Sequence, residues 1–324
     1  LLFSHDTRYS VDEAKLIRQQ TILQMFNQYQ PEVILIELFP FGRKKFADEL
    51  IPLLSAAHQE RSKPLVLCSL RDILVQKRAD QRRFENQVSQ TLNCYFHAVL
   101  LHCDPSFATL DEYFNPDITL QIPVFNTGFV APPAATGLNH CQKPRIIVSA
   151  GGGIVGGELY RTAIQAQKLI WVEAELPMTL VAGPFLPEQE WQQLVGVAHG
   201  VRGLTLSRTV TGLMSLLAPH NISVSQCGYN TAMELLQSGV KAVVVPFCTV
   251  HEDEQMNRAQ KLEMAGAVKL LDPSKMTDRS LTEAILELWR GENFQRKPMN
   301  TQGTRNTLEI ILRLRRSEHE GVVQ

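Results

Sequence analysis

Ser223-Val-Ser-Gln-Cys-Gly-Tyr-Asn-Thr-Ala-Met-Glu-Leu-Leu-Gln-Ser-Gly-Val-Lys-Ala-Val-Val-Val-Pro-Phe247, with Glu252-Asp-Glu-Gln-Met-Asn-Arg-Ala259 just beyond it, decides the fold. Ile222 to Ser225 alternates apolar and polar residues, as a strand does. Gln226-Cys227-Gly228 is a turn, where Gly228 lets backbone or ligand come close. Asn230 and Thr231 are the expected N-caps of a helix carrying Met233, Leu235 and Leu236. Gly239 ends that helix. Ala242 to Val245 is a second, wholly apolar strand, closed by Pro246. Both strands lead into helices, which predicts a parallel sheet. At the carboxyl edge this unit sets a helix N-terminus suited to phosphate. It also sets Glu234 within the first turn or two, able to accept hydrogen bonds from a sugar diol. Open α/β sheets bind ligands at that edge. A strand–glycine–helix unit that binds no phosphate has the same pattern, so these residues alone leave both readings open.

Ser225 to Glu234, then Val243 to Phe247, then Glu254-Gln255 to Ala259, in this order, resemble the donor half of two-domain GT-B nucleotide-sugar glycosyltransferases. The resemblance is strongest to the family that includes the bacterial peptidoglycan GlcNAc-transferase. It implies an α/β fold of GT-B type, with two Rossmann-like parallel-sheet domains facing across a cleft. It also implies that Glu234 holds the ribose hydroxyls of a UDP moiety and that Gln255 contacts the donor sugar. The family usually has a second glutamine where this chain has Glu254, a departure at a position that reads the sugar. Upstream, Glu37-Leu-Phe-Pro-Phe-Gly42 and Cys68-Ser-Leu-Arg-Asp-Ile73 resemble a set of uncharacterised glycosyltransferases.

The length of 324 residues suits two domains. With 32 basic and 33 acidic residues the charges nearly cancel, which argues against nucleic acid as a partner. The six cysteines, at 68, 94, 103, 141, 227 and 248, have no metal-ligand spacing and are expected to be buried thiols rather than a disulfide framework. No apolar run reaches the roughly 18 residues of a membrane span. A cytoplasmic protein is expected, with peripheral membrane contact left open. The chain opens on Leu1 without a strand and glycine-rich loop before Val11. The resemblance leads one to expect such a loop upstream, carrying the proposed base.

Residues 1–137 are expected to form the acceptor-side domain. Val11 to Tyr29 has a helical apolar stripe, and Val33 to Ile36 is a buried strand ending at Glu37. Glu37 can bind an acceptor or abstract a proton, or pair with Arg43 or Arg71. The aromatic and basic residues 39–46 can meet a lipid-linked acceptor or simply shield the sheet end. Leu65 to Cys68 is the next strand, and a polar helix bearing Lys77, Arg78, Arg82 and Arg83 follows as a solvated face. Ala98 to Leu101 is a strand ending in His102-Cys103-Asp104. His102 titrates near neutrality when unperturbed, but a histidine there also serves structure. Pro123 to Val130 ends the domain. Ala131-Pro-Pro-Ala-Ala-Thr-Gly137 reads as a linker.

Residues 138–303 are expected to form the nucleotide-sugar-binding domain, and the resemblance to GT-B proteins implies that 304–324 form a helix that returns to the first. Arg145 to Ser149 is a buried strand, followed by Ala150-Gly-Gly-Gly-Ile-Val-Gly-Gly157 and a helix from Leu159 to Ile170. Glycines there let amides approach a pyrophosphate. The spacing is neither the dinucleotide fingerprint nor a Walker loop. Met178 to Phe185 and Gly203 to Arg208 hold further strands, Leu213 to Leu217 a short helix, Gly266 to Leu270 the last strand, and Ser280 to Trp289 an amphipathic helix.

The expectation is therefore a metal-independent transfer from a UDP sugar to an unknown acceptor, lipid-linked among other choices, with inversion implied by the resemblance. No cofactor is expected, since helix dipoles and amides can stabilise the leaving diphosphate. Gly151, Gly152 and Gly153 are placed near phosphate, and Ser225, Gly228 and Tyr229 at the turn. Asn230 and Thr231 donate to the diphosphate, Glu234 holds ribose, and Glu254 and Gln255 read the sugar. No catalytic base is assigned; Glu37, His102 and Asp104 are the candidates. A nucleotide-sugar hydrolase or epimerase, or a non-catalytic binding subunit, are the alternatives.

Overall fold

The computed structural model describes residues 8–74, 80–133, 144–249, 252–291 and 296–321. The chain divides into two compact units: one runs as far as Phe129 and resumes at Gln302, and the other spans Val130–Thr301.

The first unit has a four-stranded parallel sheet in the order β1-β2-β3-β4. Its strands are β1 (Val33–Glu37), β2 (Leu65–Leu70), β3 (Ala98–Leu101) and β4 (Val124–Asn126). Helices α1 (Val11–Tyr29), α2 (Ala47–Gln59) and α3 (Gln81–Tyr95) connect or precede them. A true capping box starts α1, with Ser10 and Glu13 exchanging side-chain and backbone hydrogen bonds. Lys77 and Arg78 lie outside the described residues, and so does most of the expected linker.

The second unit is built on six parallel strands, β5 (Ile146–Ser149), β6 (Met178–Val181), β7 (Leu204–Ser207), β8 (Ile222–Ser225), β9 (Lys241–Val244) and β10 (Lys269–Leu270). Their order is β10-β9-β8-β5-β6-β7. This is the doubly wound arrangement, in which the chain goes out from β5 in one direction, returns, and builds β8 on its other side. Ser149 at the end of β5 pairs in register with Ser225 at the end of β8. The interior β5 and β8 are buried along their whole length, as strands covered on both faces must be.

The helices of this unit are α4 (Gly157–Ala174), α5 (Glu188–Ala198), α6 (Leu213–Leu216), α7 (Tyr229–Ser238), α8 (Glu254–Met264) and α9 (Asp278–Arg290). In α4, Leu159, Tyr160, Ala163, Ile164, Ala166, Gln167 and Ile170 are buried, a stripe at helical spacing. They join Ile146, Val148, Leu180, Val224 and the inner face of α9, including Leu281 and Ile285, in one core. Gln167 is the polar exception there. Its Nε2 donates to the carbonyls of Leu176 and Arg202, which holds the ends of two loops.

The last helix, α10 (Gly303–Gly321), belongs to the first unit. Ile310, Ile311 and Leu314 pack against Leu65, Leu67, Ala98 and Leu100 of its sheet. Asn306 Nδ2 donates to Thr127 O at 2.7 Å. Among the described residues no helix is long and apolar enough to cross a membrane.

Candidate functional site

The point where strand order reverses, between β5 and β8, is where a doubly wound sheet opens a crevice at its carboxyl edge. Two helix N-termini start beside it. Helix α4 begins after Gly156 and α7 after Gly228, and neither has a side-chain cap. This corrects the expected capping by Asn230 and Thr231. Helix α7 already begins at Tyr229, so Asn230 and Thr231 sit inside its first turn, with Asn230 exposed and Thr231 half-buried. The reason is local: an extended Gly228 turns the chain into the helix two residues earlier than the polar side chains suggest. The first intrahelical bond runs from Ala232 N to Gly228 O. The amides before it have no intrahelical acceptor, and their partial positive charge faces the strand ends.

Gly151, Gly152 and Gly153 form the loop after β5. It is packed tightly on the loop after β6. A Cβ on Gly153 would lie 2.1 Å from Ala182 O, and the residue's φ of +94° is one that side chains rarely tolerate. Phe185 N donates to Gly152 O. Tyr160 reaches back from α4 to donate its hydroxyl proton to Ala182 O at 2.7 Å.

The loops after β5, β8 and β9 are fastened together by side chains. Gln226 Nε2 donates to Val155 O at 3.0 Å. Gln255, near the start of α8, accepts two backbone protons on one oxygen, from Cys227 N at 3.0 Å and Phe247 N at 3.1 Å. Its carbonyl oxygen is therefore committed to the scaffold. Glu254 is bound through Oε1 by Arg258 Nη2 at 2.5 Å. Arg258 is fully buried and also donates to Cys227 O at 2.9 Å. Its guanidinium lies over the Tyr229 ring, 5.8 Å from the centroid. The Tyr229 hydroxyl accepts from Val130 N at 3.2 Å.

Ser225, the last residue of β8, is fully buried, and its hydroxyl has no partner among the described residues. Such a group costs roughly 1–3 kcal/mol unless something binds it. Glu234 lies on the second turn of α7. Burial raises its carboxyl pKa above the ordinary range. All the donor-side candidates thus stand at the end of β8, on the second unit's carboxyl-edge loops or on the first two turns of the helices that follow them.

Glu37, His102 and Asp104 belong to the first unit. Glu37 is held by Arg43 and Arg71, each at 2.7 Å, the pairing that the sequence left as its alternative. His102 is buried, with Nε2 2.8 Å from Ser69 Oγ and Nδ1 2.9 Å from Thr127 Oγ1. Burial lowers its pKa to about 4, against a smaller raising effect of the Glu37 carboxylate, so the ring is neutral at pH 7. Asp104 accepts from the amide and hydroxyl of Ser106, an Asx turn. Phe39 and Phe41 are buried, and Phe41 meets Phe114 edge-on at 5.0 Å. Those two rings shield the sheet end and are not offered to a lipid. Of the cysteines among the described residues, Cys68, Cys103 and Cys227 are buried but Cys94 and Cys248 are exposed, which corrects the expectation that all are interior; Cys141 lies outside the described residues. Among the described residues no three His, Cys, Asp or Glu side chains converge as a metal site would require.

Gln226 and Arg258 were not singled out by sequence. Arg258 had a signal, since it stands one helical turn after Glu254. Gln226 had none, because its partner Val155 is remote in the chain.

The description "Glycosyltransferase family 28 C-terminal domain" matches residues 152–312. Several relatives carry the name UDP-N-acetylglucosamine--N-acetylmuramyl-(pentapeptide) pyrophosphoryl-undecaprenol N-acetylglucosamine transferase. That of Geobacillus thermodenitrificans is 30% identical over 103 residues, 32% of this chain and 29% of the relative. That of Nitrosospira multiformis is 27% identical over 164 residues, 50% of this chain and 44% of the relative. That of Geobacillus kaustophilus is 25% identical over 214 residues, 64% and 57%. The chain thus aligns with between 29% and 57% of these relatives' lengths. Among solved structures, the calicheamicin glycosyltransferase CalG4 superposes with a TM-score of 0.57 at 14% identity, covering 99% of this chain and 81% of its own. A putative UDP-N-acetylglucosamine 2-epimerase from Listeria monocytogenes gives 0.58 at 14%, covering 90% and 74%. At such identities the likeness is one of fold, the GT-B fold that the motifs implied. With that architecture and with the domain matched over residues 152–312, the chain belongs to the GT-B proteins of glycosyltransferase family 28 type.

Proposed function

We propose that the protein is a glycosyltransferase that takes its sugar from a nucleotide sugar, most specifically a UDP sugar, and passes it to an acceptor hydroxyl. The observation that carries this is the pair of uncapped helix N-termini, α4 and α7, on either side of the strand-order switch, with Glu234 one turn further along α7.

In this reading the diphosphate lies against the Gly151–Gly153 loop and the first turn of α7. The amides there, with the Asn230 and Thr231 side chains, donate to its oxygens. As the anomeric bond breaks, charge grows on the leaving diphosphate, and preorganised N–H groups stabilise it without reorganising. Glu234 accepts from the ribose hydroxyls. Glu254, anchored by Arg258, presents its second oxygen to sugar hydroxyls, and Gln255 presents its amide nitrogen. The carboxylate at Glu254 accepts only, so it favours a neutral, hydroxyl-bearing sugar over an acidic one. The relatives' printed activity uses an undecaprenol-linked acceptor; a lipid-linked acceptor is one class to test here.

The test is a thermal-shift panel of UDP, TDP, GDP and their sugars with the full chain, since a ligand that binds only the folded state raises its melting temperature. UDP and one UDP sugar are expected to stand out. A flat panel overturns the reading. Incubation of that sugar without acceptor then separates transfer from its rivals: rapid release of free sugar or of an epimer points to hydrolysis or epimerisation.

A further inference from the structure

We infer that Arg258 is a positioning residue that aims and polarises the Gly228 amide toward the leaving diphosphate; this rests on the donor-site reading above. A guanidinium with no exposure is expensive to desolvate, and an apolar side chain of similar size often serves stability as well or better. Among the described residues, Arg258 directs its charge at Cys227 O at 2.9 Å, Glu254 Oε1 at 2.5 Å and the Tyr229 ring, all at the nucleotide edge.

The bond to Cys227 O is the decisive one. That carbonyl and the Gly228 N–H belong to the same peptide group. The group is trans, so its C=O and N–H point in opposite directions. With Arg258 on the carbonyl side, the Gly228 N–H points away from it. A carbonyl bonded to a cation polarises its peptide, which strengthens the N–H at the other end as a donor. Gln255 fixes the preceding amide, Cys227 N, at 3.0 Å, so the turn is held on two sides. The Gly228 N–H itself has no acceptor among the described residues.

Gly228 adds an independent observation. Its φ of −62° and ψ of 156° are open to any residue, so the backbone does not require glycine. A Cβ there would meet nothing within 4 Å, so packing does not require it either. Open space beside an aimed donor is room for a ligand oxygen.

The experiment compares UDP with uridine, which lacks the diphosphate, by calorimetric titration of the wild-type chain and of Arg258→Met and Arg258→Lys. The Gly228 amide is followed by 15N–1H NMR. In the wild type the Gly228 amide is expected to move on addition of UDP but not of uridine. In Arg258→Met the UDP affinity falls roughly 10-fold or more while uridine binding is kept, and the Gly228 response is lost. Arg258→Lys, which keeps the charge but not the fork, recovers part of both. A purely structural arginine would lower the melting temperature and leave the UDP-to-uridine ratio alone. An unchanged ratio in a folded Arg258 variant, or a still Gly228 amide in UDP-bound wild type, overturns the inference. If Arg258→Met does not fold, the lysine variant decides by the same ratio. If the wild type does not bind UDP at all, it is the donor-site reading that fails, and this inference with it.

Discussion

The Nε2 of Gln226 donates to the carbonyl of Val155 at 3.0 Å and so joins the loop after β8 to the loop after β5 across the strand-order switch. The two helix N-termini of the candidate site thereby keep a fixed separation. Gln226→Ala is expected to leave the fold intact and to weaken UDP binding about 5-fold, the loss of one hydrogen bond of about 1 kcal/mol. Titration calorimetry with UDP measures it. Equal affinity in the variant would show that the tie does not serve the ligand.

Glu234 is expected to make UDP binding depend on pH at the acid side. Burial raises its pKa. A raised carboxyl pKa favours the neutral form in the fold, so this group stabilises the protein at low pH. That contribution is lost as pH rises through the raised value. Ribose binding uses the ionised form. Affinity for UDP is therefore expected to weaken as pH falls into a window above the ordinary glutamate range. Glu234→Gln removes that dependence, raises apo stability at neutral pH, and costs on the order of 1–3 kcal/mol of UDP binding. UDP titrations from pH 5 to 8 check the two binding effects and thermal melts without ligand check the stability; pH-independent wild-type binding removes the carboxylate from the site.

His102 predicts a separate acid transition in the first unit. Its folded pKa of about 4 lies below the unfolded value of 6.5. The stability due to its neutral form is complete above the unfolded value and is lost as pH falls through the folded one. Denaturant unfolding between pH 7 and pH 4 is expected to show a loss approaching roughly 3 kcal/mol from this group. His102→Gln flattens that part of the profile. An identical profile in the variant would assign the acid loss to other groups.

The glycine loop should respond unequally to alanine. Gly153→Ala drives a Cβ to 2.1 Å from Ala182 O, a backbone atom that cannot swing aside as a side chain can. A loss of about 3 kcal/mol or more is expected. Gly151→Ala meets nothing within 4 Å and bears only its positive φ of +53°, so about 1–2 kcal/mol is expected. Thermal melts of the two variants settle the order.

The chain's strands and the major helices were legible because their signals are local. Leu65 to Cys68, Ala98 to Leu101 and Arg145 to Ser149 are apolar runs that only a covered strand explains. Helix ends were less so. Leu159 was expected to open α4, which begins at Gly157, because glycine carries no helical signal although it fits a helix N-terminus. Ser280 was expected to open α9, whose cap is Thr277 with Ser280 at its third position. In the candidate site, Glu234, Glu254 and Gln255 were visible as a motif. Their neighbours Gln226 and Arg258 were not, since each earns its place through a carbonyl, of Val155 and of Cys227, that no side-chain pattern announces.

By itself the order of residues determined that this protein is a parallel α/β chain with glycine-bearing turns between strand and helix after β5 and β8, because propensity and hydrophobic period act over a few neighbouring residues. Only the tertiary structure decided that β5 and β8 lie side by side, that the residues α10 covers are those of β2 and β3, and that the buried Arg258 donates to the Cys227 carbonyl. Those relations join segments remote in the chain, and what selects them is the burial of apolar faces and the pairing of buried polar groups once the whole has packed.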